Sequence, residues 1–469
     1  MRSGILSQLH GLKLEAQIGM KKVLLIGSGA REQAIARALK ESREEVVLSV
    51  YASHHNPGIA SLASDFIVGS LSDNQKIVEY ARQSGVDFAV VGPEGPLANG
   101  IVDDLQMAGI PSVGPTKNLA QIETSKSFTR NLAKEFNIKG SVLYKSFENF
   151  DGVPSFLNQL ENGFVIKPDG LTGGKGVMVM GDHFASEEEG IEILHDLFSE
   201  GQSLVIEEKL TGQEFSLMSF CDGENLVHLP AVQDHKRAFE NDKGPNTGGM
   251  GSYSMADGSL PFLTKEDIAE AKSINETIAL ALREKTGVPY KGVLYGGFMA
   301  TKTGVKLIEY NARLGDPEAM NVLSVFPDKS SDKIAGADFL DICEAIIKGT
   351  LNTLKTNWKP VCTVCKYAVP NGYPSNSVKG EAIDLSALDQ SKVGLFFASV
   401  DAKNGDLLLA GSRAVAVIAV HEDLYEAEKL VEAEIRKIRG PVFHRSDIGT
   451  ASLIESRAKM MEEIRNEKI

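Results

Sequence analysis

The longest uninterrupted apolar run in this 469-residue chain is Ala414 to Val420, far short of the roughly 18 residues that suggest a membrane span. No transmembrane helix and no membrane partner are expected. Positive charge is also in short supply, with 49 Lys+Arg against 63 Asp+Glu and a net charge of −14. The overall field therefore gives no support to sequence-independent binding of nucleic acid or anionic lipid. Cysteine is rarer still. The four residues Cys221, Cys343, Cys362 and Cys365 argue against a disulfide framework and suit a reducing cytoplasm. Cys362 and Cys365 form a lone CxxC inside an expected strand at 361 to 369, where residues three apart face opposite sides. Two small apolar fillers are expected there, not a metal or redox site. Repeats and low-complexity tracts are absent. Residues 1–20 lack the charged-then-apolar architecture of a secretory peptide, and they read as an upstream start or an added remnant ahead of the first strand.

What is present is an ordinary folded composition, 42% hydrophobic and 24% charged, at a length that suits about three domains of ~150 residues. Lys22 to Ile26 is an apolar run ending in Gly27-Ser28-Gly29, followed by Ala34, Ile35, Ala38 and Leu39 at helical spacing. Further alternation follows: strand 45–50, helix 74–83, strand 88–92, helix 97–108. That pattern predicts a parallel α/β domain over residues 21–122. A helix at 127–136 then gives way to strands joined by glycine-rich turns, an α+β domain over 123–345 with a lid at about 140–212. A third, small α+β domain is expected over 346–455, with a tail at 456–469.

Four clusters carry chemistry. Gly27-Ser-Gly29-Ala30-Arg31-Glu32 begins like a dinucleotide fingerprint, but Glu32 stands where the third glycine belongs and no ribose-binding acid closes the second strand. Its helix N-terminus could hold a phosphate beside Arg31, and a plain βα turn fits the spacing equally well. Lys167-Pro-Asp-Gly170-Leu-Thr-Gly173-Gly174-Lys175-Gly176-Val177 is not a Walker loop, since Gly170 and Gly174 are one residue too close, Gly176 takes the Ser/Thr position, and the stretch joins two strands. It suits a mobile flap over nucleotide phosphates, with Lys167 and Lys175 supplying charge. In Glu309-Tyr-Asn311-Ala-Arg313-Leu-Gly-Asp316, strand alternation puts Glu309 and Asn311 on one face, a carboxylate and an amide oxygen suited to a hard divalent cation. Arg313 extends that side toward charge developing on a transferred phosphoryl group. Gln233-Asp234-His235-Lys236-Arg237, ahead of Gly244-Pro-Asn-Thr-Gly248-Gly249-Met-Gly251, suits an arm that clamps an anionic substrate.

These stretches, with Val91-Gly-Pro-Glu94-Gly-Pro-Leu97 and Arg445-Ser-Asp-Ile-Gly449, resemble the ATP-grasp ligases, and among them the glycinamide ribonucleotide synthetase family. The resemblance runs from about Lys22 to about Gly449. It implies a pre-ATP-grasp N-terminal domain, an ATP-grasp domain with a glycine-rich lid, and a small C-terminal domain. It further implies that ATP activates the carboxylate of glycine as a glycyl phosphate, which 5-phosphoribosylamine then attacks, in purine biosynthesis. Lys126, Lys167 and the flap Gly173, Gly174, Lys175, Gly176 and Val177 would meet the ATP phosphates. Glu207, Glu208 and Leu210 would form an adenine hinge, and Glu214 would meet the ribose. Glu309 and Asn311 would bind Mg2+ or Mn2+. Lys175, Arg313 and Asp316 would be catalytic, Asp316 also holding the glycine amine. Gly27, Gly29, Arg31, Glu94, Asp234, His235, Lys236 and Arg237 would bind phosphoribosylamine. A cytoplasmic monomer or weak dimer acting on small molecules is implied. Departures from the family pattern are Gln33 and Phe397, each where histidine is usual, and Ser412, where glycine is common. Competing readings are another ATP-grasp carboxylate–amine ligase, a nicotinamide-dependent oxidoreductase, and a nucleotide-binding protein without catalysis.

Overall fold

The computed structural model describes residues 19–171, 176–329, 335–403 and 405–467. Its first layer is the expected parallel sheet. Strands β1 (Met20–Ile26), β2 (Glu45–Ala52), β3 (Asp65–Val68), β4 (Phe88–Val91) and β5 (Ser112–Val113) lie in the order β3-β2-β1-β4-β5. Val23, Leu24, Leu25 and Ile26 are all fully buried because helices cover both faces, which is why β1 reads as a continuous apolar run. The helix expected over 97–108 is two pieces, Glu94–Ala98 and Ile101–Met107. Between them Gly100 takes a φ of +82°, a left-handed turn that no continuous α-helix contains.

The lid is a four-stranded antiparallel sheet, β6 (Tyr144–Phe147), β7 (Phe164–Pro168), β8 (Met178–Val179) and β9 (Leu204–Glu208), ordered β6-β9-β7-β8. Phe147, Phe156, Phe164, Phe184, Leu194 and Ile206 form a small core of their own, separate from the two larger clusters of the molecule. The lid is therefore a unit that packs itself.

The largest sheet has ten strands among the described residues. It takes in β10 (Gly212–Asp222), β11 (Leu226–His228) and β12 (Val232–Asp234), while β13 (Arg237–Phe239) and β14 (Lys243–Asn246) make a projecting hairpin. It continues through β15 (Gly251–Ser254), β16 (Lys291–Thr301), β17 (Gly304–Asn311) and β18 (Cys362–Pro370). A three-stranded sheet of β19 (Ala382–Ile383), β21 (Val400–Lys403) and β22 (Asp406–Leu409) stands apart, and β20 (Gly394–Phe397), β23 (Val415–His421) and β24 (Val442–Phe443), which pairs with β18, complete the large one. Its main path is β17-β16-β10-β12-β15-β18-β23-β20. The third domain is thus joined to the second by the β15–β18 ladder as well as by side chains. Cys362 and Cys365 sit on opposite faces of β18, in different core clusters.

Two helices differ from expectation. No expected element covers Lys265–Thr286, the longest helix, opened by a Thr264–Asp267 capping box and stopped by Gly287 at φ +71°. The expected tail at 456–469 does not stand apart. Residues up to Asn466 belong to helix Ala451–Asn466, which docks through Arg465 to the Asp267 carboxylate at 2.6 Å.

Candidate active site

A cleft of about 640 Å³ lies between the lid and the large sheet. β17 supplies its chemical edge through an irregularity in pairing with β16. Gly297 pairs with Glu309 while Phe298 pairs with Leu307, so Ile308 is one residue extra, a β-bulge. The consequence is a change of phase. Val305 and Leu307 point into the core, and simple alternation would send Glu309 and Asn311 after them. The extra residue puts Tyr310 in the core instead, 3% exposed, and turns Glu309 and Asn311 to the cleft.

Opposite them stand two lysines. Lys126 opens helix Lys126–Glu135, whose first turn is docked on the lid by Asp169, accepting from the Lys126 amide at 2.6 Å. Its ammonium donates to the Gly170 carbonyl at 2.7 Å. Lys167, at the end of β7, is buried and reaches the Glu207 carboxylate at 2.7 Å and the Ile308 carbonyl at 3.1 Å. Burial pushes both lysine pKa values down, against the pull of Glu309 on Lys126 and of Glu207 on Lys167. Burial would raise the Glu207 carboxyl, but Arg130 and Lys167 outweigh it and hold the group at about 2.

Lys236 bridges the two sides of the cleft, 3.3 Å from Glu214 and 3.6 Å from Glu309. Glu214, then Glu309, raise its pKa against the cost of burial. Arg313 is held between Glu94 at 3.2 Å and Glu123 at 3.0 Å. Burial would raise Glu94, yet Arg313 and Arg31 bring it down to about 2, whereas for Glu123 burial prevails and its pKa is raised. Asp316 accepts from the Tyr367 hydroxyl at 2.6 Å, and Arg413 lies 3.3 Å from the same oxygen. Arg413 also donates to the carbonyls of Gly248 and Gly249 and stacks on Tyr367. An anion-binding set, a paired acid and amide, and an anchored carboxylate therefore share one cavity.

Three family models match consecutive stretches of the chain: the N domain of phosphoribosylglycinamide synthetase over 21–123, its ATP-grasp (A) domain over 124–319 and its C domain over 363–451. The chain belongs to the phosphoribosylglycinamide synthetase family. It is 48% identical over 453 residues to a phosphoribosylamine–glycine ligase of Methanocaldococcus jannaschii, covering 95% of this chain and all of that one. A ligase of the same name from Methanosarcina barkeri is 45% identical over 444 residues, again 95% of this chain and all of the relative. Among solved structures, a phosphoribosylamine–glycine ligase from Thermotoga maritima superposes with a TM-score of 0.74 at 27% identity, covering 91% of this chain and 99% of that one. The chain is an ATP-grasp carbon–nitrogen ligase and uses ATP.

Against that family pattern, the expected site residues divide. Lys126, Lys167, Val177, Glu207, Glu214, Asp234, His235, Lys236, Arg237, Glu94, Glu309, Asn311, Arg313 and Asp316 all line the cleft. Gly173, Gly174 and Lys175 lie outside the described residues, and Gly176 is not part of the lining. Glu208 and Leu210 do not reach it either. The Glu208 carboxylate turns away to accept from the Leu143 amide. Gly27, Gly29 and Arg31 stand behind the wall, and the amide expected to be free at Gly29 already donates to Glu32 at 2.6 Å. The Glu32 side chain fills the space between the Gly27 and Gly92 turns, where a pyrophosphate would have to enter, so the dinucleotide reading fails on steric grounds. Arg31 acts from the second row, 3.8 Å from Glu94.

Sequence reasoning missed Arg130, Glu123 and Arg457, which line the cleft, and Tyr367 and Arg413, which hold Asp316. Arg130 lies four residues beyond Lys126 on one helix, a spacing that puts both on one face and was available as a signal. Glu123 and Tyr367 had none. The departures at 33 and 397 prove to be neighbours: the Gln33 amide accepts from the Phe397 N–H at 2.7 Å and donates to the Leu395 carbonyl at 3.0 Å, tying the first domain to β20. Ser412 is exposed.

Proposed function

We propose that this cleft joins glycine to 5-phosphoribosylamine, a step of purine biosynthesis, through a glycyl phosphate with release of ADP and phosphate. The observation that carries the reading is the bulge at Ile308, which faces Glu309 and Asn311 toward Lys126 and Lys167 across the cavity. A carboxylate is a poor electrophile, so phosphoryl transfer must activate it, and that step is chiefly neutralisation of charge. Lys126 and Lys167 hold the ATP phosphates, while Glu214 meets the ribose. Glu309 and Asn311 offer two oxygen donors on one half-exposed face, which fits magnesium or manganese. Such an ion supplies charge for the transferring phosphoryl group when bound.

Arg313 stabilises the negative charge on the glycyl phosphate. Asp316 holds the glycine ammonium: Tyr367 and Arg413 both engage Oδ1, which leaves Oδ2 to accept from it. Glu94 and the 234–237 segment receive the phosphoribosylamine. The lid keeps water from the acyl phosphate. Purified protein given ATP, magnesium, glycine and fresh phosphoribosylamine should release ADP only when every component is present. ADP release indifferent to glycine would overturn the assignment, and full activity with a different amine would favour another acceptor.

Arg413→Gln should loosen Asp316 without touching the nucleotide. The expected result is a glycine KM raised roughly tenfold, about 1.4 kcal/mol, with kcat little changed. Steady-state kinetics with glycine varied would read it, and an unchanged KM would detach the third domain from glycine binding.

A further inference from the structure

A β-bulge leaves backbone carbonyls out of the regular ladder, and at this one they are buried under the lid. Each needs a donor, since an unsatisfied buried carbonyl costs about 1–3 kcal/mol. Arg130 supplies them. The side chain is 3% exposed, and its guanidinium donates from Nη1 to the Leu307 carbonyl at 2.9 Å and from Nη2 to the Ile308 carbonyl at 2.6 Å. The same group grips Glu207 through Nε at 2.5 Å and Nη2 at 2.8 Å. Lys167 adds a second cation, which reaches both Glu207 and the Ile308 carbonyl.

Stability alone does not explain this cluster. A buried ion triad is often no better than well-packed apolar side chains of the same volume, because desolvation offsets the attraction. What the triad does supply is geometry, fixing a backbone kink at two successive carbonyls with a rigid planar fork. That kink decides which side chains of β17 face the cleft.

We propose that Arg130 is a positioning residue for the cation site: by clamping the bulge at Ile308 it holds Glu309 and Asn311 in register toward the cleft. This rests on the reading of Glu309 and Asn311 as the cation-binding pair. Because Arg130 shares its helix with Lys126 and its carboxylate partner is on lid strand β9, the clamp also ties the cation strand to the two elements that approach the nucleotide. Lysine cannot replace it, since one ammonium cannot span two carbonyls and a carboxylate in the same fixed plane.

The test is Mn2+ binding, read by electron paramagnetic resonance in the presence of a non-hydrolysable ATP analogue, for wild type, Arg130→Lys, Arg130→Gln and Glu309→Gln. Melting temperature and the metal-free affinity of the analogue are measured alongside. The expected result is a Kd for Mn2+ raised roughly tenfold in both Arg130 variants. Their analogue affinity should stay within about twofold of wild type, a split that a general loosening of the fold would not give. Unchanged Mn2+ affinity in a folded Arg130 variant, with Glu309→Gln weakened, overturns the clamp and leaves the cation site standing. Unchanged affinity in Glu309→Gln overturns the cation reading itself. Failure of both Arg130 variants to fold makes Arg130 a determinant of the fold and also ends the proposal.

Discussion

Glu309→Gln is expected to lower kcat/KM for ligation about a thousandfold, some 4 kcal/mol of transition-state stabilisation, with the fold retained. The substitution keeps the shape and one oxygen but removes the negative charge that faces the cation. Burial would raise the Glu309 carboxyl, and Lys236, Lys167 and Lys126 together draw it down, so at neutral pH it is ionised in a ring of cations. Those cations keep other partners in the variant: Lys236 has Glu214, Lys167 has Glu207 and Lys126 has the Gly170 carbonyl. Circular dichroism should therefore show little change while ADP release collapses. Turnover within about tenfold of wild type would take Glu309 out of the cation set.

Arg313→Met should be nearly as severe, lowering kcat by about 10³-fold, the low end of what an arginine acting on a transferring phosphoryl group is worth. The guanidinium is already oriented before any substrate arrives, between Glu94 and Glu123, so its electrostatic work needs little rearrangement. Arg313→Lys should recover only part of the loss, because one ammonium cannot satisfy both carboxylates. A second readout follows from Glu94. Its folded pKa, about 2, lies below its ordinary 4.5, so the pairing stabilises the native state above pH 4.5 and that contribution fades as pH falls toward 2. Without Arg313 the lowering is smaller, and the acid-side loss of stability should be shallower than in wild type. A normal kcat in Arg313→Met would assign the arginine to holding Glu94 and Glu123 in place.

Local pattern carried much of the fold. The strands at 22–26, 45–50, 88–92 and 361–369 were legible because each is a short, mostly apolar run, and β1, β2, β4 and β18 fall within two residues of them. Helix Lys265–Thr286 was missed although its cap at Thr264 and its stop at Gly287 were signals in plain view; its apolar stripe, Ala271, Ile274, Ile278 and Leu282, is diluted by charged residues. The pairing of Glu309 with Asn311 on one face was read from alternation, which is correct for the two relative to each other. Which face they share was not readable, since that depends on Ile308 being extra.

Residue chemistry and element type were therefore determined by the sequence itself, because both follow from neighbours a few positions apart: which side chains can neutralise phosphate, which runs prefer strand, which turns need glycine. Phase and partnership were decided only in three dimensions. The bulge is satisfied by an arginine 177 residues upstream of Leu307, and Asp316 is anchored by Tyr367 and Arg413 of another domain. Contacts at such separations are set by packing the whole chain, and no local run of residues records them.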